Sequence, residues 1–204
     1  MNININTFNK WAELGKDKSM AENHKSSVNK MFEIINKKIL SLGKPFNFLD
    51  LGCGNGWVVR KILKNTNCID ATGIDGAKNM IDIARTYKIG DFIEHNIEDY
   101  SFKKKFDIIF SMETFYYFND ADYLLQTLYK NNLNDQGLFI IGIDHYKENK
   151  PSLNWGDDYN LKIKTFSINE WKKKFKKANL KNINYLQHDK NKDWEGTLII
   201  YGEK

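Results

Sequence analysis

Three glycines, Gly52, Gly54 and Gly56, break the apolar run that begins at Phe46, and the residue after them is Trp57. A glycine-rich turn leaving a strand lets a ligand touch the backbone, because glycine accepts the positive φ such turns require. The spacing says which ligand. A dinucleotide site has G-x-G-x-x-G, with its third glycine placed for close helix–strand packing and a pyrophosphate at the helix N-terminus. Here that third position is Trp57, and the bulky ring argues for a smaller, less anionic group lying over the turn. Asp75 ends the stretch ATGID, nineteen residues past Gly56, where an acid accepts hydrogen bonds from ribose hydroxyls. A ribose without a pyrophosphate is expected.

Other reactive side chains follow predicted strands. Glu113, in SMETFYYF, comes just after the apolar segment Phe106 to Phe110, and the carboxyl ends of parallel strands are where ligands bind. It serves there as general base, substrate ligand or helix-capping acid, the last favoured by the helix dipole. His145 and Tyr146 follow the next strand and are placed to line the same mouth, while Tyr116 and Tyr117 wall it or pack in the core. His24 belongs to a helical stripe of Met20, His24, Val28, Met31, Ile35, Ile39 and Leu42. It is either a packed histidine or a group carried over the site. Trp57 itself is read first as a packing anchor of the helix turn and second as a ligand contact. Cys53, inside the glycine turn, has no base near it in sequence and is read as a small packing residue. With Cys68 it is one of only two cysteines, too few for a disulfide framework and without metal-ligand spacing, so no metal is expected.

The elements that must hold these groups alternate. Phe46 to Leu51, Ile69 to Ile74, Asp91 to His95, Phe106 to Phe110 and Gly137 to Ile143 read as strands. Helices begin at Val58 and cover Ala77 to Tyr87 and Ala121 to Asn131. Such alternation needs right-handed crossovers and gives a parallel sheet covered on both faces. From Ser167 the order changes to helix, strand, strand. Ser167 with Glu170 is a capping box, the helix ends near Leu180, and Ile183 to Leu186 and Thr197 to Tyr201 form a hairpin around the polar stretch His188 to Asp193. The fold class is therefore α/β: a doubly wound, mostly parallel seven-stranded sheet closed by an antiparallel hairpin. Residues 1–43 are expected to form a helical lid or cap, and 44–204 one globular unit.

Composition narrows the function. A chain of 204 residues suits one core, and its net charge of +5 comes from scattered lysines. The densest run, WKKKFKK, places Trp171 and Phe175 inward and its lysines on a solvated helix face, which disfavours a nucleic-acid surface. No stretch approaches the eighteen apolar residues of a membrane span, and no basic start with an apolar core marks a signal peptide. A cytoplasmic protein without membrane contact is expected.

A nucleoside cofactor that has a ribose and no pyrophosphate is S-adenosylmethionine, and at this point the sequence resembles the class I S-adenosylmethionine-dependent methyltransferases from Phe46 to Lys204. LDLGCGNG is similar to their first motif, which implies that Asp50, Gly52, Cys53, Gly54 and Asn55 hold the methionine end of the cofactor. GID resembles the segment with the ribose-binding acid, which brings in Asp75 with Gly76 and Met80 after it. EHNIED stands where the family contacts adenine, implying Asn96, Ile97 and Glu98, with Asn96 in place of the commoner aspartate. FDIIFSMETFYYF resembles the fourth strand and its loop, adding Ser111 and Met112, and NDQGLFIIGID the fifth. The family carries N-terminal helices as a lid, which implies a site role for His24 beside Glu113 and His145 as catalytic candidates. The amine-methylating N/D-P-P-Y signature is absent, and SMET stands in its place. A small-molecule acceptor is expected first and RNA or protein second. A non-catalytic cofactor-binding protein and a nicotinamide-dependent oxidoreductase are the readings outside this family's activity.

Overall fold

The computed structural model describes residues 2–204. Its sheet has seven strands: β1 Phe46–Leu51, β2 Cys68–Asp75, β3 Asp91–Glu94, β4 Phe106–Met112, β5 Leu133–Ile143, β6 Lys181–His188 and β7 Thr197–Glu203. Their order is β3-β2-β1-β4-β5-β7-β6. Six strands run in one direction, and β7 alone is reversed, antiparallel between β5 and β6. The chain winds from β1 outward to β3, then crosses to β4 on the other side of β1, so the crevice opens between β1 and β4.

Alternation builds two cores from the same strands. Phe46 and Phe48 of β1, Ile108 and Phe110 of β4 and Ile140 of β5 face one side, against α3 (Lys25–Leu42) and α4 (Trp57–Ile62). Leu49 and Leu51, Ile109, and Phe139 and Ile141 face the other, against α6 (Ala121–Asn131) and α8 (Ile168–Lys177), while α5 (Lys78–Thr86) follows β2 and the short α7 (Trp155–Asp158) lies between β5 and α8. A strand buried on both faces is largely apolar, which is why Ile108 to Phe110 of β4 and the middle of β5 read as hydrophobic runs.

The strands extend past the apolar patterns at several ends. β5 starts at Leu133 rather than Gly137, and the hairpin pairs from Lys181–Glu203 to His188–Thr197. Ladder hydrogen bonds need no apolar side chains, so pairing continues where the pattern stops. Helix α8 ends at Lys177, short of Leu180, and begins with the expected capping box of Ser167 and Glu170.

The N-terminal stripe is not one helix. Helices α2 (Asp17–Asn23) and α3 meet at His24, which caps both. The bonds from His24 N–H to Met20 O and from Val28 N–H to His24 O keep the stripe in phase across the joint. Before them, α1 (Ile3–Glu13) crosses the carboxyl end of the sheet. This segment has more inward anchors than Met20 and His24, since Asn4, Thr7, Ala12 and Asp17 are buried as well. Asn4 is clamped amide to backbone, donating to Lys162 O at 2.9 Å and accepting from Lys162 N–H at 2.7 Å. No helix among the described residues is long and apolar enough to cross a membrane.

Candidate active site

The crevice between β1 and β4 opens into a pocket roofed by α1 and α2. Its floor is the glycine turn, and the three glycines differ in what they face. A Cβ at Gly52 would meet Thr114 Oγ1 at 2.0 Å, and one at Gly56 would meet Phe92 at 2.4 Å. These two are glycines because protein packs on them. A Cβ at Gly54 would find nothing within 4 Å, and its φ is +51°. Of the three turn glycines, only Gly54 presents bare backbone to open space.

Asp75 fixes this turn. Its Oδ2 accepts from Gly54 N–H at 3.0 Å and its Oδ1 from Ala77 N–H at 2.8 Å. Burial raises its carboxyl above the usual range, and the backbone donors partly offset this. Asp50 is buried nearby with Oδ2 unpartnered, and burial together with the charge of Asp75 holds its carboxyl well above the ordinary value. Cys53 is buried and its thiol is pushed well up by desolvation, as expected of a packing residue. Trp57 combines its two expected roles, packing on the α3 side of the core while one part of it borders the pocket.

The remaining expected cofactor residues line the same space, namely Asn55, Gly76, Met80, Asn96, Ile97, Glu98 and Met112. Ser111 does not. Its hydroxyl is buried and donates to Leu51 O at 2.8 Å, tying β4 to β1 beneath the turn. Asn96 has its amide donating to Asp99 at 2.6 Å, and Glu98 accepts from Asn119 and from Asp120 N–H.

The structure separates the three catalytic candidates. His24 and Glu113 reach the pocket, while His145 does not line it. The His145 ring is buried and both nitrogens are engaged, Nδ1 with Ser152 O at 2.8 Å and Nε2 with Thr165 Oγ1 at 2.7 Å. It holds together the loop after β5. Tyr146 is also buried away from the pocket and donates to Gly196 O.

Glu113 sits in the left-handed region at φ 55°, an uncommon conformation for a non-glycine residue. Tyr116 hydroxyl donates to its Oε2 and Asp144 N–H to its Oε1, both at 2.5 Å. Burial, then the neighbouring Asp144, pushes its carboxyl well above the ordinary range. Asp144 was missed in the sequence. It is buried, its Oδ1 has no partner, and its Oδ2 lies 3.9 Å from His24 Nε2. Burial raises its carboxyl, partly offset by the nearby Thr197 hydroxyl and by His24, and burial lowers the His24 pKa, partly restored by Asp144. The signal was present, because Gly142-Ile143-Asp144 repeats at the end of β5 the G-I-D triplet that ends β2.

The roof was also hard to read locally. Ile5 lies over Gly76, Phe8 stands edge-on to Tyr117 with centroids 5.4 Å apart, and Asp17 Oδ2 accepts from Asn55 Nδ2 at 2.9 Å. The pocket is lined by the carboxyl side chains of Asp17, Asp50, Asp75, Glu98 and Glu113 and by no lysine or arginine. In a chain of net charge +5 this is a local reversal of sign.

Known proteins agree with this geometry. Residues 18–185 match the family model described as "Methyltransferase domain". The chain is 31% identical over 158 residues to a malonyl-[acyl-carrier protein] O-methyltransferase of Calditerrivibrio nitroreducens, a match covering 76% of this chain and 60% of that one. Among solved structures, a methyltransferase in complex with the Haloferax volcanii Trm112 methyltransferase activator superposes with a TM-score of 0.80 at 24% identity, over 96% of each chain. The plantazolicin methyltransferase BpumL, solved with S-adenosylhomocysteine, gives 0.68 at 18% identity over 98% of this chain and 95% of that one. The glycine turn, the acid ending β2, the terminal hairpin and these matches place the chain among the class I S-adenosylmethionine-dependent methyltransferases.

Proposed function

We propose that the protein transfers the methyl group of S-adenosylmethionine to a small-molecule acceptor bound beside Glu113 under the N-terminal helices. The observation that carries this reading is the pocket's enclosure and sign: α1 and α2 roof it, and acids without cations line it. A sulfonium and an ammonium suit such a lining, whereas a pyrophosphate would meet repulsion there. The bare backbone at Gly54 and the unpartnered Asp50 Oδ2 suit the methionine end of the cofactor, and Asp75 suits the ribose hydroxyls. Asn96 and Ile97 stand ready for the adenine edge.

When bound, the cofactor supplies a methyl group already activated by its sulfonium. The chain's own work is to bind and orient the acceptor and to exclude water. Met112, Phe8 and Tyr117 provide walls, and Glu113 and His24 beside them are able to hold an acceptor proton. Residues 1–43 act in this reading as the cap that closes over both substrates.

A protein-tethered acceptor is the second reading. It draws on the acyl-carrier relative and on a shallow groove of Lys25, Arg60, Lys61 and Lys64 next to Trp57, whose charge suits an acidic carrier. Incubating the protein with methyl-labelled S-adenosylmethionine and separated metabolite, RNA and protein fractions decides the matter. Label in the metabolite fraction, with formation of S-adenosylhomocysteine, is the expected result; label confined to RNA or protein would overturn it.

A further inference from the structure

The acids of the crevice fall into two groups. Asp50 and Asp75 end β1 and β2, and Asp75 is engaged with the backbone of the glycine turn. Glu113, which lines the pocket, and Asp144, which does not line it but lies next to Glu113, follow β4 and β5 and face His24 at the joint of α2 and α3. Ligand atoms of these three all lie within 4.8 Å of one another. Asp144 is 8% exposed, and its Oδ1 has no hydrogen-bond partner. A buried acceptor without a donor is costly unless a ligand supplies one.

We propose that His24, Glu113 and Asp144 form the acceptor subsite, and that it takes a primary or secondary amine in its ammonium form, so that the methyl group is received by nitrogen. This rests on the small-molecule reading above and names its substrate class.

Three features favour an amine over the other acceptors open to this family. The subsite offers a row of acceptors: Asp144 Oδ1 is free, and each Glu113 oxygen, already engaged once, retains a second lone pair. An ammonium brings two or three donors to them, while an alcohol brings one. A carboxylate acceptor brings none and would be placed against two acids with no lysine or arginine on the pocket wall to offset it. Burial raises both carboxyls because their charge is poorly solvated there, and a cation bound beside them would offset that cost.

An ammonium and a metal ion call for different spacings. Tetrahedral ligands about 2.1 Å from a metal lie roughly 3.4 Å apart. Acceptors about 2.8 Å from an ammonium nitrogen lie roughly 4.6 Å apart. His24 and Asp144 are separated by 3.9 Å, between the two values, so the zinc arm of the titration below decides between them.

The transfer balances. The ammonium gives one proton to the Glu113–Asp144 pair, which frees the nitrogen lone pair. The nitrogen bonds the methyl carbon as the carbon–sulfur bond breaks, and that bond's electron pair stays on sulfur. The product carries the positive charge formerly on the sulfonium, and the proton held by the carboxyls passes to water when the product leaves. Glu113 is thus the proton acceptor, and Asp144 and His24 hold the cation in place.

Two measurements test this on the full chain loaded with S-adenosylhomocysteine. The first follows the His24 imidazole by NMR during titration with methylammonium chloride, sodium acetate or zinc chloride. Methylammonium is expected to give a saturable shift, at least tenfold weaker in Glu113→Gln and in Asp144→Asn, and acetate none. Both variants are made because each acid also supports local structure, and circular dichroism reports which are folded. A saturable response to acetate, tighter binding of zinc, no response to methylammonium, or a response unchanged in a folded variant would overturn the proposal. The second measurement takes label transferred into a metabolite extract and asks what bond holds it. Label retained in an alkali-stable cation is expected. Release as methanol by mild alkali marks a methyl ester, and retention in a neutral ether marks a hydroxyl acceptor; either overturns the amine and leaves the small-molecule reading intact. Label found only in macromolecules overturns that reading instead, and the titration still decides the chemistry of the subsite.

Discussion

Asp75 and Asp144 occupy matching places, each closing a G-I-D triplet at the carboxyl end of a strand, and their surroundings differ sharply. Asp75 accepts two backbone N–H bonds and so shapes the turn that carries Gly54. Asp144 has an unpartnered oxygen, a histidine 3.9 Å away and a second, half-buried acid, Glu113, whose Oε1 its own N–H holds. One acid is satisfied by the fold and presents its remaining lone pairs to a ligand. The other is left wanting a donor. On the proposed reading the cofactor side is shaped by these backbone bonds, although Asp50 Oδ2 there is also unpartnered, and the acceptor side holds the unpartnered Asp144 Oδ1 beside a histidine.

The largest loss should come from Gly54→Val, which strikes the cofactor half. A branched side chain there projects into the open side of the turn and must adopt φ near +51°. S-adenosylhomocysteine binding is expected to vanish by calorimetry while circular dichroism remains that of a folded protein. Normal binding by a folded variant would place the cofactor elsewhere. Asp75→Ala should cost less, about 1.5–3 kcal/mol of binding, if the acid receives ribose hydroxyls through charge-assisted bonds. NAD should not bind measurably in either protein. NAD binding tighter than S-adenosylhomocysteine would reverse the assignment of the half-site, and unchanged affinity in Asp75→Ala would leave that residue only its role in the turn.

The two halves were unequally legible in the sequence. The cofactor half draws on β1, β2, β3 and the turns after them, where each ligand-facing residue stands beside a strand end that its own apolar run announces. The three-glycine pattern and Asp75 could be read within thirty residues of chain, although which glycine faces the ligand could not. Thr114 and Phe92, far along the sequence, are what close Gly52 and Gly56. The acceptor half joins residue 24 to residues 113 and 144, so no local pattern holds it. His145 was the more conspicuous residue there, yet the loop to Ser152 and Thr165 turns its ring away from the pocket, while the neighbouring Asp144 faces His24. Hydrophobic periodicity placed His24 on the inward face of its helix but not at a joint, since the stripe stays in phase through it.

The roof lies between these extremes and its order should depend on ligand. Its inward contacts are a few polar bonds, such as the Asn4 clamp on Lys162 and Asp17 with Asn55, added to a small apolar cluster of Phe8, Trp11, Ala12, Met20 and Met80 apart from the main core. Segments held this way open at low free energy. Hydrogen exchange over residues 8 to 28 should slow on adding S-adenosylhomocysteine. Asn4→Ala, which removes both bonds of the clamp, should raise exchange in α1 by about 1–2 kcal/mol of lost protection and leave the sheet unchanged. Equal protection with and without ligand would make these helices a fixed part of the core.

The smallest effect, and the one that most sharpens the contrast, is a gain. Glu113 has its carboxyl raised well above the ordinary value by burial and by Asp144. The folded chain therefore keeps a proton there that the unfolded chain releases, and folded stability falls as pH climbs through the interval above the unfolded carboxyl's pKa. Glu113→Gln removes that dependence. Its amide oxygen can still accept from Asp144 N–H, and its NH2 can donate to the Tyr116 hydroxyl, which is free to reorient. The variant should melt higher than the parent at pH 8 and show little or no gain at pH 4, while losing methyl transfer. Asp75→Asn provides the opposite case, because its amide nitrogen would face a backbone N–H that Asp75 now satisfies, so it should melt lower than the parent at pH 8. If Glu113→Gln also melts lower at pH 8, the acid is a structural support of the loop after β4 and the contrast between the halves fails. If it melts higher, the fold carries a destabilising acid at the acceptor side for the sake of what binds there.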